Sequence, residues 1–290
     1  MAVLSIQSHV VYGYAGNTAA VFPLQRLGRE VWAINTVEFS NHTGYGAWKG
    51  KVLGAELVSE LVTGLEERGA LSRCEAVLSG YLGDAAAGRA IMDAVRRVRK
   101  AKPGALYCCD PVMGDVGRGF YVKPDIPDIF KHEVLALADI TTPNQFELEA
   151  LTGLDTGTVA GARKAMELLH QKGPGVVLVT SFQEKGKDDS RIGMLVSDKT
   201  ACYRIHTPKL ALRAGMAGSG DLSAAVFLSR YLETGDVKRT LELTAASVYG
   251  IMEVTFRKQV LGPGGLLELL LVQAQEELSS PTAVFTAEKL

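Results

Sequence analysis

The chain has 290 residues, 47% of them hydrophobic, and balances 31 Lys plus Arg against 32 Asp plus Glu for a formal net charge of −1. That length suits one large α/β domain or two small ones, in the composition range of ordinary globular proteins. The lack of net basic charge argues against a nucleic-acid partner, and no apolar run approaches the roughly 20 residues of a membrane span.

In chain order, residues 2–6 predict a short buried strand that ends where polarity begins at Gln7-Ser8-His9. The apolar start is too short for a signal peptide and has no basic leader. Gly13 and Gly16 punctuate a loop. Asn17-Thr18 offers a cap to a helix over residues 19–27, which Gly28 closes. Residues 31–39 alternate as a strand, so the opening is strand, helix, strand, the unit of a parallel sheet. The stretch from Ser40 to Gly50 breaks the pattern with Gly44, Gly46 and Gly50 among His42, Tyr45 and Trp48. It suits either a flap over a flat ligand or a plain hairpin on the sheet edge.

Helices are expected over 55–67 and 85–100, with strands over 76–81 and 105–109. The basic end of the second helix, Arg96 to Lys100, reads as a solvated face that favours the helix dipole. The four cysteines, Cys74, Cys108, Cys109 and Cys202, form no CxxC pair and no zinc spacing. Free thiols in a reducing cytoplasm follow. Beyond a looser stretch over 116–127 the pattern predicts a helix near 129–135, a strand over 139–142, and helices over 145–151 and 159–172. A continuous apolar strand over 176–180 is of the kind covered on both faces. A hairpin follows, 192–196 with 201–205, and then a loop over 208–216. The last expected helices span 237–256 and 266–278. No repeat and no linker interrupts the chain, so one domain over residues 1–290 is the economical reading.

The residues with chemistry fall at strand ends. Ser8, Phe39 to Thr43, Gly80-Tyr81, Asp110, Thr142-Pro143-Asn144 and Thr180-Ser181 each follow an apolar strand. Ligands of open parallel sheets bind outside the carboxyl ends of their strands. The segment Gly215-Met216-Ala217-Gly218-Ser219-Gly220-Asp221 precedes an apolar helix. A glycine turn that opens a helix aims free amides and the positive end of the dipole at one spot, a place for an anion. Asp221 there is either a general base toward a hydroxyl or a helix cap. No GxxxxGK[ST] is present, and Gly218-x-Gly220 lacks the third glycine of a dinucleotide fingerprint. Asp110, Asp115 and Glu147 are candidate holders of Mg²⁺ through water.

Five segments together resemble the pyridoxal kinases of the ribokinase superfamily. They are Gln7-Ser8-His9-Val10-Val11-Tyr12-Gly13, Phe39-Ser40-Asn41-His42-Thr43-Gly44-Tyr45, Asp110-Pro111-Val112-Met113-Gly114, Thr142-Pro143-Asn144-Gln145-Phe146-Glu147 and Gly218-Ser219-Gly220-Asp221. The first two are specific to pyridoxal kinases and the last is shared by the superfamily. The resemblance implies a ribokinase-like α/β fold: a mostly parallel central sheet, helices on both faces and a small flap over the substrate site. It implies ATP-dependent phosphorylation of the 5′-hydroxymethyl of pyridoxal, with pyridoxine and pyridoxamine as further candidates. Mg²⁺, K⁺ and a cytoplasmic homodimer come with it. Residue by residue, Ser8, Thr43 and Gly44 would meet the ring substituents, and Val37, Phe39 and Tyr81 would line the ring. Asp110, Thr142, Glu147, Thr180, Thr207, Pro208, Lys209 and Leu210 would serve the nucleotide, with Asp110 and Glu147 at the metal. Gly218, Ser219 and Gly220 would form the anion hole and Asp221 would be the base. Gly44 replaces a polar residue of some bacterial members, Thr180 replaces a lysine of others, and residues 208–216 follow no familiar pattern. A hydroxymethylpyrimidine kinase of the same fold is the alternative enzyme. A non-catalytic vitamin B6 binder is the alternative from another class.

Overall fold

The computed structural model describes residues 2–187, 190–212, 216–259, 261 and 265–290. Strand β1 (Ala2–Tyr12) sends Leu4 and Ile6 into one core and Val3 into another, as a central strand covered on both faces must. Helix α1 (Asn17–Arg26) returns the chain to β2 (Glu30–Asn41). A 3-10 turn (Thr43–Tyr45) then leads to the edge strand β3 (Gly50–Val52). The chain continues through α2 (Ala55–Glu67), β4 (Cys74–Ser79), α3 (Ala85–Ala101) and β5 (Leu106–Cys109). The short pair β6 (Gly114–Asp115) and β7 (Gly119–Phe120) precedes α4 (Ile126–Ile129) and β8 (Ile140–Thr141). Helices α5 (Gln145–Thr152) and α6 (Val159–Lys172) lead to β9 (Val176–Phe182), β10 (Arg191–Ser197) and β11 (Cys202–Pro208). Helices α7 (Ser219–Thr234), α8 (Val237–Lys258) and α9 (Glu276–Ser279) and the strand β12 (Glu288–Lys289) complete it.

Ten strands form one sheet in the order β12-β11-β10-β9-β8-β5-β4-β1-β2-β3. Neighbours from β2 to β9 pair in parallel, while β3 at one edge and β10, β11 and β12 at the other are antiparallel. One core packs α2, α3 and α6 on a face through Val58, Ile91 and Met166. The other packs α1, α7 and α8 on the opposite face through Leu24, Phe227 and Leu241. The expected fold class is therefore observed. No helix among the described residues is long and apolar enough to cross a membrane.

The structure departs from expectation in four places. Strand β1 runs past residue 6 to Tyr12, because after a register shift between Gln7 and His9 it goes on pairing with β2, Val10 to Phe39 and Tyr12 to Asn41. Gly16, not Asn17, caps α1; the Asn17 side chain instead bonds within the core, to Ser5, Asn35 and the Ile34 carbonyl. The helix expected near 129–135 is the end of α4 followed by a π turn (Phe130–Val134) and a 3-10 turn (Leu135–Leu137). The expected helix over 266–278 is helical only in α9. Over 266–270 the chain is extended, with Leu267 and Leu269 buried between half-buried neighbours, a period of two, and residues 271–275 then turn into α9. Leu267 bridges in parallel to Met216, so this run lies alongside the approach to α7.

Candidate active site

Because neighbouring strands from β2 to β9 are parallel, they end on one sheet edge. Strand β11 reverses β10, which reverses β9, so β11 ends there too. This edge collects the residues singled out above.

The glycine turn sits at its centre. Gly218 caps α7 with φ +85°, and no side chain caps the helix. Asp221 lies inside the first turn, so it is not the capping residue. Its half-buried carboxylate lies beside the backbone N–H of Gly16, which lowers its pKa, but desolvation is the larger effect and raises it. Gly16 is itself the N-cap of α1, with φ +57°. A Cβ on Gly16 would fall 2.2 Å from the Ser8 carbonyl oxygen and 2.3 Å from Ser8 Oγ, and one on Gly218 would fall 2.4 Å from the Tyr14 carbonyl oxygen. Glycine at both positions thus lets the ends of two helices and the end of β1 meet around Asp221. The role of Gly16 was not anticipated. The signal available was a glycine immediately before a helix that follows a strand.

Asp110 closes the other side. Its Oδ2 lies 4.0 Å from where a Cβ of Gly220 would be, and its Oδ1 accepts the Thr142 hydroxyl at 3.0 Å. Burial first, then the charges of Glu147, Asp221 and Asp115, push the Asp110 carboxyl well above its ordinary value. Glu147 is only 3% exposed, unlike a solvated helix glutamate. It closes a capping box with Asn144 and accepts the amides of Met113 at 2.8 Å, Gly114 at 3.4 Å and Asn144 at 2.9 Å. Burial raises it to about 8 against the pull of those amides. Among the described residues no lysine or arginine pairs with Asp110, Glu147 or Asp221, so these carboxylates share a pocket short of positive charge. No group of three His, Cys, Asp or Glu among the described residues is arranged to hold an ion directly.

The remaining predicted residues flank this centre. Thr180 is buried and donates its amide to the Pro143 carbonyl at 3.0 Å, beside a bridge from Asn144. Buried Thr207 and exposed Pro208 end β11, and Lys209 N–H bonds to the Ser190 carbonyl. Leu210 accepts from Leu212. Arg213, Ala214 and Gly215, the start of the glycine segment included, lie outside the described residues.

On the opposite side Val37 is buried at the β2–β3 pairing, and Phe39 packs against Trp48 with ring centroids 5.9 Å apart. The Thr36 hydroxyl holds the Tyr81 carbonyl at 2.8 Å. Residues 40–50 are an edge hairpin whose tip is the 3-10 turn, the second of the two readings given above. Thr43 and Gly44 are exposed at that tip, and His42 Nδ1 accepts the Gly44 amide at 3.0 Å. Burial, then the charge of Arg118 in the β6–β7 turn, lowers the pKa of His42. Two hairpins therefore approach each other at this edge.

A half-buried carboxylate beside uncapped helix amides, with a second carboxylate across the turn, can take a proton from a hydroxyl while the amides stabilise the transferring anion. Known proteins resemble the chain over nearly its whole length. A family model described as phosphomethylpyrimidine kinase matches residues 56–261. That match begins after Ser8 and the flap, the segments that separate the two enzyme readings. Over 99% of this chain and 97% of the relative's length, the sequence is 50% identical to the pyridoxal kinase PdxY of Rubrobacter xylanophilus. It is 48% identical to that of Granulibacter bethesdensis, over 99% of both. The solved pyridoxal kinase of Leishmania donovani in complex with ADP and pyridoxamine superposes with a TM-score of 0.91 at 31% identity, over 99% of each chain. The chain belongs to the pyridoxal kinase family, kinases of the ribokinase-like fold.

Proposed function

We propose that the chain moves the γ-phosphoryl group of ATP to the 5′-hydroxyl of pyridoxal at the turn between Asp221 and Asp110. The observation that carries this reading is the Asp221 carboxylate, half-buried beside the Gly16 amide in the first turn of a helix without a side-chain cap. The 5′-oxygen attacks the γ-phosphorus as its proton passes to Asp221. The bond from that phosphorus to the β–γ bridging oxygen breaks, giving pyridoxal 5′-phosphate and ADP. Amides of Ser219 and Gly220 face the charge that spreads over the transferring group. Burial, by raising Asp221, makes it a better match to a hydroxyl proton than an exposed aspartate.

Ser8 and Thr43 orient the ring, with Val37, Phe39 and Tyr81 as its walls and Gly44 at the flap tip. Thr142, Thr180, Thr207, Pro208, Lys209 and Leu210 serve the nucleotide. The uncompensated carboxylates fit a magnesium ion bound through phosphate oxygens and water. Asp110 would hold it with the edge facing Gly220, and Glu147, whose oxygens already accept three amides, would act through water. When bound, Mg²⁺ draws charge from the phosphate oxygens. Potassium is proposed on the resemblance alone and carries no step. One sheet takes strands from β1 to β12, which supports a single domain, and four free cysteines support a reducing, cytoplasmic setting. Val11 and Tyr12 are exposed beside a cavity of about 750 Å³ that Val21, Phe22 and Ala33 also line, and this face supports a homodimer. Sedimentation should give twice the chain mass, and Tyr12→Glu should return it to the single-chain value.

Release of ADP measured with pyridoxal, pyridoxine, pyridoxamine and hydroxymethylpyrimidine tests the substrate. Pyridoxal should give the highest kcat/KM; a higher value with hydroxymethylpyrimidine would move the chain to the alternative named by the matching family model. Thr43→Val keeps the side-chain shape and removes an exposed hydroxyl. It should raise KM for pyridoxal by the equivalent of about 1–3 kcal/mol and leave KM for ATP within about twofold. Equal change in both constants would take Thr43 out of the ring site.

A further inference from the structure

We infer that Glu268 is a positioning residue that fastens the substrate flap to the loop holding Asp221. One carboxylate oxygen accepts the Tyr14 amide at 3.0 Å, and the other accepts the Tyr45 hydroxyl from the flap tip. Gly13 makes the approach possible. A Cβ there would lie 2.6 Å from both carboxylate oxygens, and its φ of +88° is one that side chains rarely adopt. The Tyr45 ring packs edge-on against Tyr12, centroids 6.0 Å apart, so the phenol reaches Glu268 along a fixed direction. Burial and the neighbouring carboxylate push the Tyr45 pKa far above its ordinary value, which keeps the phenol protonated and donating.

The other end of the same loop reaches the chemistry. The Gly16 amide lies beside the Asp221 carboxylate, and the Tyr14 carbonyl lies against Gly218. Glu268 in turn is held from behind. Leu267 and Leu269 are buried on either side of it, Leu267 bridges Met216, and Leu269 Cδ1 lies 3.1 Å from the Cβ position of Gly218. The alternation that replaced the expected helix aims this one carboxylate out of the leucine run and into the Gly13–Tyr14 loop. Gly44 lies near the same segment, since a Cβ added there would fall 3.6 Å from Leu266 Cδ1. The segment over 266–269 thus touches the flap, the loop and the glycine turn at once. Glu268 touches no reacting atom. It acts through Tyr45 on the vitamin side and through Tyr14 on the base side.

This rests on the pyridoxal reading of the site, and the wild-type enzyme in the same assay separates the two: loss of that reading shows as no pyridoxal-dependent ADP release at all. Three single variants and one double test the link. Tyr45→Phe keeps the ring against Tyr12 and removes the hydroxyl. Glu268→Ala removes the acceptor, and Glu268→Gln keeps one. Tyr45→Phe and Glu268→Ala should each raise KM for pyridoxal about tenfold while KM for ATP stays within about twofold, the scale of one hydrogen bond to a charged group. Glu268→Gln should fall between Glu268→Ala and wild type. Hydrolysis of ATP without vitamer should rise in both strong variants, since a loose flap admits water. The double variant Tyr45→Phe/Glu268→Ala should be no worse than Glu268→Ala, because both remove the same bond. Pyridoxal KM unchanged in Tyr45→Phe, an equal rise in KM for ATP, or multiplying effects in the double variant would each overturn the inference. Should Glu268→Ala fail to fold, Tyr45→Phe and the Tyr45→Phe/Glu268→Gln pair decide by the same criteria.

Discussion

Asp221→Asn should lower kcat by about 10²–10⁴-fold while binding of pyridoxal and ATP stays close to wild type. Asparagine is nearly isosteric, and its amide oxygen can still face the Gly16 N–H. What it cannot do is accept a proton from the attacking hydroxyl. The fold should not suffer, because Asp221 is one of the charges that raise Asp110, and removing it relieves a buried like-charge pair. The sign of the pH effect follows from the raised pKa of Asp221. The folded state holds that proton more tightly than the unfolded chain, so its stabilising contribution is present at low pH and is lost as pH rises through the raised value. The variant should therefore gain melting temperature over wild type at neutral pH and not at low pH. Catalysis runs the other way. The base works only when deprotonated, so wild-type kcat/KM should fall on the acid side along a limb above the ordinary carboxylate range, and the residual rate of the variant should lack that limb. Equilibrium binding, kcat and a pH profile read all three. Retention of more than about a third of kcat would remove Asp221 from the role of base.

Much of this site could be read from residue order, and the exceptions share one cause. Strands such as β9, apolar from Val176 to Val179, announce themselves because a parallel strand buried on both faces has no polar side to hide. Asp110 and Thr142 could be placed because they follow strands directly, and Asp221 because a glycine turn precedes it and an apolar helix follows. Where local pattern was silent, a distant partner decided. The leucines over 266–270 satisfy a helix and a strand equally well, and only packing beside Met216 and Gly218 selects the extended form. Tyr14 and Glu268 stand 254 positions apart, so nothing near either residue signals the bond between them. Strand β1 seemed to end at Ile6 because Gln7, Ser8 and His9 are polar, yet their polarity belongs to their contacts. Gln7 bonds to Ser5, Ser8 lies under Gly16, and His9 pairs with Glu38 at 2.7 Å. The burial of Glu147 could not be read locally for the same reason, since the amides that hold it from Met113 and Gly114 come from another loop.

Gly218→Ala should cost both stability and turnover, and Gly220→Ala turnover alone. The two glycines are one residue apart in sequence and differ in what surrounds them. Gly218 has φ +85°, and an added methyl would meet the Tyr14 carbonyl oxygen at 2.4 Å and Leu269 Cδ1 at 3.1 Å. The left-handed backbone costs about 1–2 kcal/mol for a residue with a Cβ. Relief of the clash adds about 1–3 kcal/mol, because the obstacle is backbone and cannot rotate away. For a chain of this size the sum corresponds to a fall in melting temperature on the order of 10 °C. The relaxation must move either Tyr14 or the start of α7. Either shift carries the Gly16 amide away from Asp221, so kcat should drop even where the variant is fully folded. Gly220 has no such constraint. The nearest atom to its Cβ position is Asp110 Oδ2 at 4.0 Å, and alanine in a helix is favoured over glycine by about 0.5–1 kcal/mol. Its methyl points instead toward Asp110, into the space the proposed phosphoryl transfer would use. Gly220→Ala should hold or raise the melting temperature and still lose kcat. Thermal melts and kcat at 25 °C for the two variants side by side decide the matter. Equal melting temperatures, or normal kinetics in Gly220→Ala, would mean that the turn does not hold the phosphoryl group.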